Sequence, residues 1–184
     1  HEVKDQPPHE MKVILVTGTI GEGKTAWLAK LTGLLREKGV NVGGILALRR
    51  VEDGVTTGYD ISDISSGNRT PFLRHTGSET MGVDRFTMND AGFIAGRNAL
   101  DPGSNQGNDV VIVDEVGPLE LRGRGWSEVL GGLLHETRAT VIIAVRKNLT
   151  EAVIEKFGLE GATIIDVAGA NVVSFADEIA HKNH

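Results

Sequence analysis

The chain has 184 residues, 40% of them hydrophobic and 24% charged, enough for one domain with a sizeable core. Its 19 basic and 25 acidic side chains leave a formal net charge of −6 with the histidines neutral, so it lacks the broad basic field that nucleic acid or an anionic membrane attracts. It contains no cysteine, which excludes disulfides and thiolate chemistry, and its apolar runs are strand-sized, far below the roughly 20 residues that cross a bilayer.

The first ten residues, HEVKDQPPHE, form a polar tail without the apolar core of a signal peptide. One domain is expected over 11–180, with Met11 as a natural start, 181–184 as a C-terminal tail and a cytoplasmic location. Residues 12–17, KVILVT, are an apolar run suited to a buried parallel strand. A loop of small residues follows. Trp27, Leu28, Leu31, Leu34 and Leu35 then recur at helical spacing, and Gly39 stops that helix. Residues 42–48 read as a second strand that Gly43 and Gly44 weaken. From 49 to 89 the pattern changes. Asp53-Gly54 is a hairpin turn, and FLRH and VDRFTM are short strands, so an antiparallel elaboration is expected. Residues 90–99 form a helix capped by Asn89 or Asp90. The DPGSNQGN run after it is expected to be an exposed, mobile loop.

Regular alternation then resumes. DVVIVDE at 109–115 is the strongest strand, and Trp126, Val129, Leu130, Leu133 and Leu134 form one helical face. ATVIIAV at 139–145 is another strand. Thr150 caps a helix that buries Val153, Ile154 and Phe157 and ends at Gly158. ATIIDV at 162–167 and a terminal helix with Phe175 and Ile179 inward complete the chain. Strands alternating with helices imply an α/β fold with a mainly parallel sheet covered on both faces.

Residues 18–25, GTIGEGKT, complete the G-x-x-x-x-G-K-[ST] pattern between a strand and a helix. Gly18, Gly21 and Gly23 let the backbone bend so that successive N–H groups surround phosphate oxygens, and the helix N-terminus adds its own donors. Lys24 reaches the β- and γ-phosphates, and the Thr25 hydroxyl sits on Mg²⁺. The nucleotide site is expected to comprise Gly18, Thr19, Ile20, Gly21, Glu22, Gly23, Lys24, Thr25 and Ala26. Such a loop needs a metal-holding acid at the end of another buried strand, and Asp114 ends four consecutive aliphatics. Glu115 is then either the residue that orients and deprotonates the attacking water or a solvated acid at a strand end. Arg146, ending the 139–145 strand, either donates to the γ-phosphate or stands exposed beside Lys147. Arg74 and Arg97 are lesser candidates for phosphate or base contacts. The histidines lack metal-ligand spacing, so no zinc site is expected.

GTIGEGKT at 18–25, GGILALRRVEDGVTTGYDI at 43–61 and VVIVDEVGPLEL at 110–121 together resemble the thermophile and cancer-related nucleoside-triphosphatase family of small P-loop proteins. The resemblance extends over about 11–180 and is loose across MGVDRFTMNDAG at 81–92. It implies a RecA-like branch of the P-loop fold and Mg²⁺-dependent hydrolysis of ATP or other nucleoside triphosphates to diphosphates, with broad base use. It assigns Gly18, Gly23, Lys24 and Thr25 to nucleotide and Mg²⁺, Asp114 to metal and Glu115 to water activation. Glu120, in the same signature, either reaches the metal shell or bonds to the Gly117-Pro118 turn and fixes Glu115; the local bond is favoured. Two rivals use the same loop. A small-molecule kinase would place an acceptor pocket in 49–108, although Arg69, Arg74, Arg85 and Arg97 are scattered rather than clustered in a lid. A nucleotide-dependent assembly or adaptor module would use slow hydrolysis to reset a contact. Neither nucleic acid, membrane nor an obligate protein partner is expected, and the simplest state is a monomer.

Overall fold

The Val- and Ile-rich runs become strands buried on both faces, because helices cover both sides of the sheet they form. The computed structural model describes residues 12–19, 23–76 and 86–183. In chain order these form β1 (Val13–Gly18), α1 (Lys24–Glu37), β2 (Val42–Glu52), β3 (Val55–Asp63), β4 (Arg69–His75) and β5 (Phe86–Met88). There follow α2 (Asp90–Leu100), β6 (Val110–Val116), α3 (Pro118–Leu121), α4 (Ser127–Glu136), β7 (Thr140–Arg146), α5 (Thr150–Phe157), β8 (Thr163–Asp166) and α6 (Val172–Lys182). The described strands make one sheet in the order β5-β4-β3-β2-β6-β7-β1-β8. From β2 to β8 the pairs are parallel, and β3, β4 and β5 extend the sheet antiparallel. This is a RecA-like arrangement with β7 between the phosphate-loop strand and the Asp114 strand.

Alternate residues of each central strand enter opposite cores. Val13 and Leu15 join Val111, Val113, Leu130, Leu133 and Val153 on one face. Ile14 and Val16 join Leu28, Leu31, Leu35, Phe175 and Ile179 on the other. At roughly 25 cal/mol per Å² of apolar area, these two layers supply the main drive to fold. The helical spacing from Trp27 to Leu35 thus marks the face that α1 lays against the sheet. Gly39, at φ 77°, ends it with an N–H bond to the Arg36 carbonyl.

Several expectations change in detail. β2 is longer than 42–48 because it continues into the hairpin with β3, turning at Asp53 (φ 50°) and Gly54 (φ 77°). Gly44 strengthens rather than weakens β2: it sits at φ 102°, and a Cβ there would stand 2.0 Å from the Ile112 carbonyl oxygen. Asn89 is the cap of α2, accepting from the Ala91 N–H at 2.9 Å. The segment after α2 is a built turn rather than a loose loop: Asn105 is buried, and its amide donates to the carbonyls of Ala99 and Asp101, each at 2.9 Å. Thr150 does not cap α5. A 3-10 turn over Lys147–Leu149 runs directly into the helix, which makes Thr150 its first residue, and its hydroxyl donates to the Arg146 carbonyl at 3.2 Å.

Candidate active site

The C-terminal ends of β1, β7 and β6 converge where the sequence places phosphate chemistry. Gly18 closes β1 and is paired in register with Arg146 at the end of β7. Gly23 adopts the left-handed conformation at φ 77° and opens α1, whose second residue is Thr25. Ile20, Gly21 and Glu22 of the loop lie outside the described residues. Thr19 and Ala26 flank the described parts of the loop, both exposed. Lys24 is buried and folds back over the start of the loop, its Nζ donating to the Gly18 carbonyl at 3.3 Å and the Thr19 carbonyl at 3.5 Å. An incoming phosphate oxygen is a better partner for that ammonium than two long bonds to neutral carbonyls.

Thr25 and Asp114, 89 residues apart, meet directly: the Thr25 hydroxyl donates to Asp114 Oδ2 at 2.8 Å. The backbone N–H of Ala47 in β2 donates to the same oxygen at 3.0 Å. Asp114 is 2% exposed. Burial pushes its carboxyl up to about 6, against the lowering effect of the Thr25 and Ala47 hydrogen bonds, with the nearby Glu115 charge raising it further and Lys24 lowering it. A carboxylate this costly to bury is stabilised by a cation placed against it. The hydroxyl and carboxylate oxygens are hard donors of the kind that would hold Mg²⁺. Among the described residues no cluster of three or more His, Asp or Glu offers another metal site.

Glu115 follows at the end of the strand. Its Oε1 is buried and lacks an aligned hydrogen bond among the described residues, while Arg146 Nε stands 3.3 Å away. The ion pair bridges β6 and β7, so it holds the two side chains at the mouth of the site. Glu120 lies behind them. Its Oε1 accepts from the Gly117 N–H at 2.8 Å and its Oε2 from the Trp126 N–H at 3.0 Å, tying the turn after β6 to the start of α4. Burial raises its carboxyl despite those backbone bonds. Gly125, at φ 57°, makes room for it; a Cβ there would lie 1.8 Å from Glu120 Oε2.

The lesser candidates lie elsewhere. Arg97 sits 5.7 Å over the Phe93 ring on α2, and Arg74 is exposed on β4. Arg85 lies outside the described residues. A separate cavity of about 420 Å³, lined by residues that include Asn105, Asn108, Asp109 and Glu136, opens at the far end of the sheet and holds none of the phosphate-site residues. Two features had no sequence signal: the Ala47 N–H on Asp114, a main-chain donor any residue could supply, and the Trp126 N–H on Glu120.

A protein-family profile described as NTPase matches residues 13–180. The chain is 31% identical over 168 residues to nucleoside-triphosphatase THEP1 of Archaeoglobus fulgidus, covering 90% of this chain and 95% of that one. It is 29% identical over 175 residues to the same-named protein of Methanosarcina acetivorans, covering 92% and 95%. Its fold is similar to the solution structure of a human cancer-related nucleoside triphosphatase, with a TM-score of 0.71 at 20% identity over 94% of this chain and 97% of that one. The crystal structure of THEP1 from the hyperthermophile Aquifex aeolicus gives 0.63 at 20% identity, covering 91% and 96%.

Proposed function

The chain belongs to this NTPase family, and on that premise we propose that it is a Mg²⁺-dependent hydrolase of nucleoside 5′-triphosphates, ATP among them, with little preference for the base. The observation that carries the proposal is the contact of Thr25 with Asp114 beside Glu115, at the mouth of the phosphate motif. Backbone N–H groups of the loop, the N-terminus of α1 and Lys24 hold the triphosphate chain by its phosphates alone, which leaves the base unselected. Thr25 and Asp114 hold Mg²⁺. When bound, the ion neutralises charge on the β- and γ-oxygens.

Glu115 orients a water in line with the γ-phosphorus and accepts its proton. The new oxygen–phosphorus bond forms as the bond to the β-bridging oxygen breaks, leaving nucleoside diphosphate and phosphate. Lys24 and the backbone donors stabilise the leaving diphosphate. Arg146, 3.3 Å from Glu115, turns its guanidinium to the γ-phosphate as charge develops there. Glu120 positions Glu115 by pinning the turn that follows it. No helix among the described residues is long and apolar enough to cross a membrane. In this reading the protein acts on free nucleotides as a cytoplasmic monomer.

The test is purified protein with ATP and Mg²⁺ and no acceptor. Steady phosphate release that a chelator abolishes and Mg²⁺ restores is the expected result. ATP loss that requires an added acceptor makes the protein a kinase. Turnover that stays negligible until a protein partner is added makes it an adaptor module.

A further inference from the structure

The antiparallel extension carries a second cluster of charge that hydrolysis by water does not use. Asp60, on β3, is only 1% exposed, although the ribbon around it is largely open. Arg50 of β2 donates through Nε to Asp60 Oδ1 at 2.7 Å, and Arg69 of β4 through Nε to Oδ2 at 2.5 Å. Burial alone would raise the Asp60 carboxyl, but the two guanidinium bonds outweigh it and hold it below the usual carboxylate range. One buried carboxylate therefore grips two guanidinium groups by their inner nitrogens. The outer forks make no further hydrogen bond among the described residues, Glu52 acting on Arg50 only through its charge, and the two side chains are 52% and 47% exposed. They face an open cleft of about 670 Å³ lined by Arg49, Arg50, Val51, Glu52, Asp60 and Arg69. Arg50 and Arg69 are the cations on the Asp60 face, since Arg49, between Leu48 and Arg50, alternates to the other face of β2.

Its position matters as much as its charge. The Ala47 N–H bonds to Asp114, and Leu48, the next residue, is paired directly with Asp60. Residues paired across an antiparallel ladder share a face. Leu48 packs into the core layer of α1, so Asp60 and its arginines lie on the face that carries Thr25. Asp60 is two strands from Asp114, about 10 Å at the usual strand spacing. The cluster therefore stands beside the Thr25–Asp114 contact, on the same face of the sheet.

The geometry points to a binding site for the phosphate of a second, phosphorylated small molecule, held by the forks of Arg50 and Arg69 next to the terminal phosphate of the nucleotide. Planar guanidinium forks match the oxygens of a phosphomonoester and can take it bidentately. A compact dianion fits better than a nucleic acid, because the two exposed forks are confined to one cleft of an acidic protein.

The inference rests on the nucleotide reading for its location only. The test is calorimetric titration of phenyl phosphate into the full chain while Mg²⁺ and β,γ-imido ATP saturate the phosphate loop. Saturable one-to-one binding is expected, with none for phenol, and affinity at least tenfold lower in Arg50→Gln and Arg69→Gln. Arg50→Lys and Arg69→Lys keep a cation against Asp60 but lose the fork, so they retain the fold and should also bind more weakly. No saturable binding to the wild type, or unchanged affinity in the Lys variants, overturns the site. A single-stranded oligonucleotide bound more tightly than phenyl phosphate, and lost in the same variants, overturns the assignment to a small molecule. The imido nucleotide is not turned over, so these outcomes are independent of hydrolysis, which ATP loss without acceptor measures separately.

Discussion

Asp114 is held in a buried setting that favours its neutral form. Its carboxyl rises from an ordinary 3.8 to about 6, so the stabilisation that protonation lends the nucleotide-free fold is complete below about 3.8 and is lost as pH rises through about 6. Above that pH the buried charge weighs on the fold, by an amount on the order of 3 kcal/mol for two pKa units. Asp114→Asn is therefore expected to melt at a higher temperature than the wild type at pH 7.5 without nucleotide, with the gap narrowing towards pH 4.5. The same variant should need more Mg²⁺ for phosphate release. An unaltered metal midpoint in a titration of phosphate release would remove Asp114 from the metal site, and a lower melting temperature at pH 7.5 would reject its burial as a cost. Lys24 and Glu115 separate binding from chemistry. Lys24→Ala should weaken triphosphate affinity and turnover together. Glu115→Gln should keep much of the affinity and lose turnover by about 2.7–4 kcal/mol, the scale of one lost transition-state interaction. Calorimetry beside phosphate-release rates distinguishes them.

Among the elements, the bend from β6 through α3 into α4 owes its shape to one carboxylate. Glu120 satisfies the Gly117 and Trp126 N–H groups together, and Trp126 in turn stacks on Phe72 and Phe93, at ring centroid distances of 5.2 and 5.4 Å. Glu120→Gln turns one acceptor into a donor facing a backbone donor. The expected loss is about 1–3 kcal/mol in urea unfolding, the cost of an unsatisfied buried group. Gly125→Ala tests the same bend from the other side, since it needs a left-handed φ and meets Glu120 Oε2. It is expected to destabilise by a similar amount, and stability matching the wild type in both variants would show that the bend does not depend on this carboxylate. β2 has an equivalent point at Gly44. Ala there would drive a methyl into the Ile112 backbone, and the β2–β6 pairing that brings the Ala47 N–H to Asp114 would separate. That element-level contact sets the orientation of Asp114 from outside the loop.

At the scale of the whole molecule, binding and folding are linked, because only the assembled sheet brings Thr25 to Asp114. β,γ-imido ATP with Mg²⁺ at about 100 times its dissociation constant should add roughly 2.7 kcal/mol of stability. In a thermal melt the shift should largely disappear in chelator; an equal shift without metal would mean that the ion is not held between protein and phosphate. The parts of this molecule that were legible in the sequence are those encoded by neighbours along the chain. Four aliphatics before Asp114, the helical spacing from Trp27 to Leu35, the Asp53-Gly54 turn and the GTIGEGKT run each carry their meaning within a few residues. They determined the strands, the helices and the antiparallel hairpin, and they mark where a phosphate loop is proposed. Tertiary structure alone decided the rest. Arg69 looks scattered among other arginines in the sequence, yet antiparallel pairing on both sides of β3 sets it against Asp60 opposite Arg50. Glu115 was legible as an acid after Asp114, but its approach to Arg146 depends on β6 lying next to β7. Asp114 receives the Ala47 N–H only because β2 pairs with β6 in this register. Side-chain periodicity records which face is buried, whereas strand pairing joins residues far apart through main-chain groups that every residue shares, so the register that completes the site has no local signature.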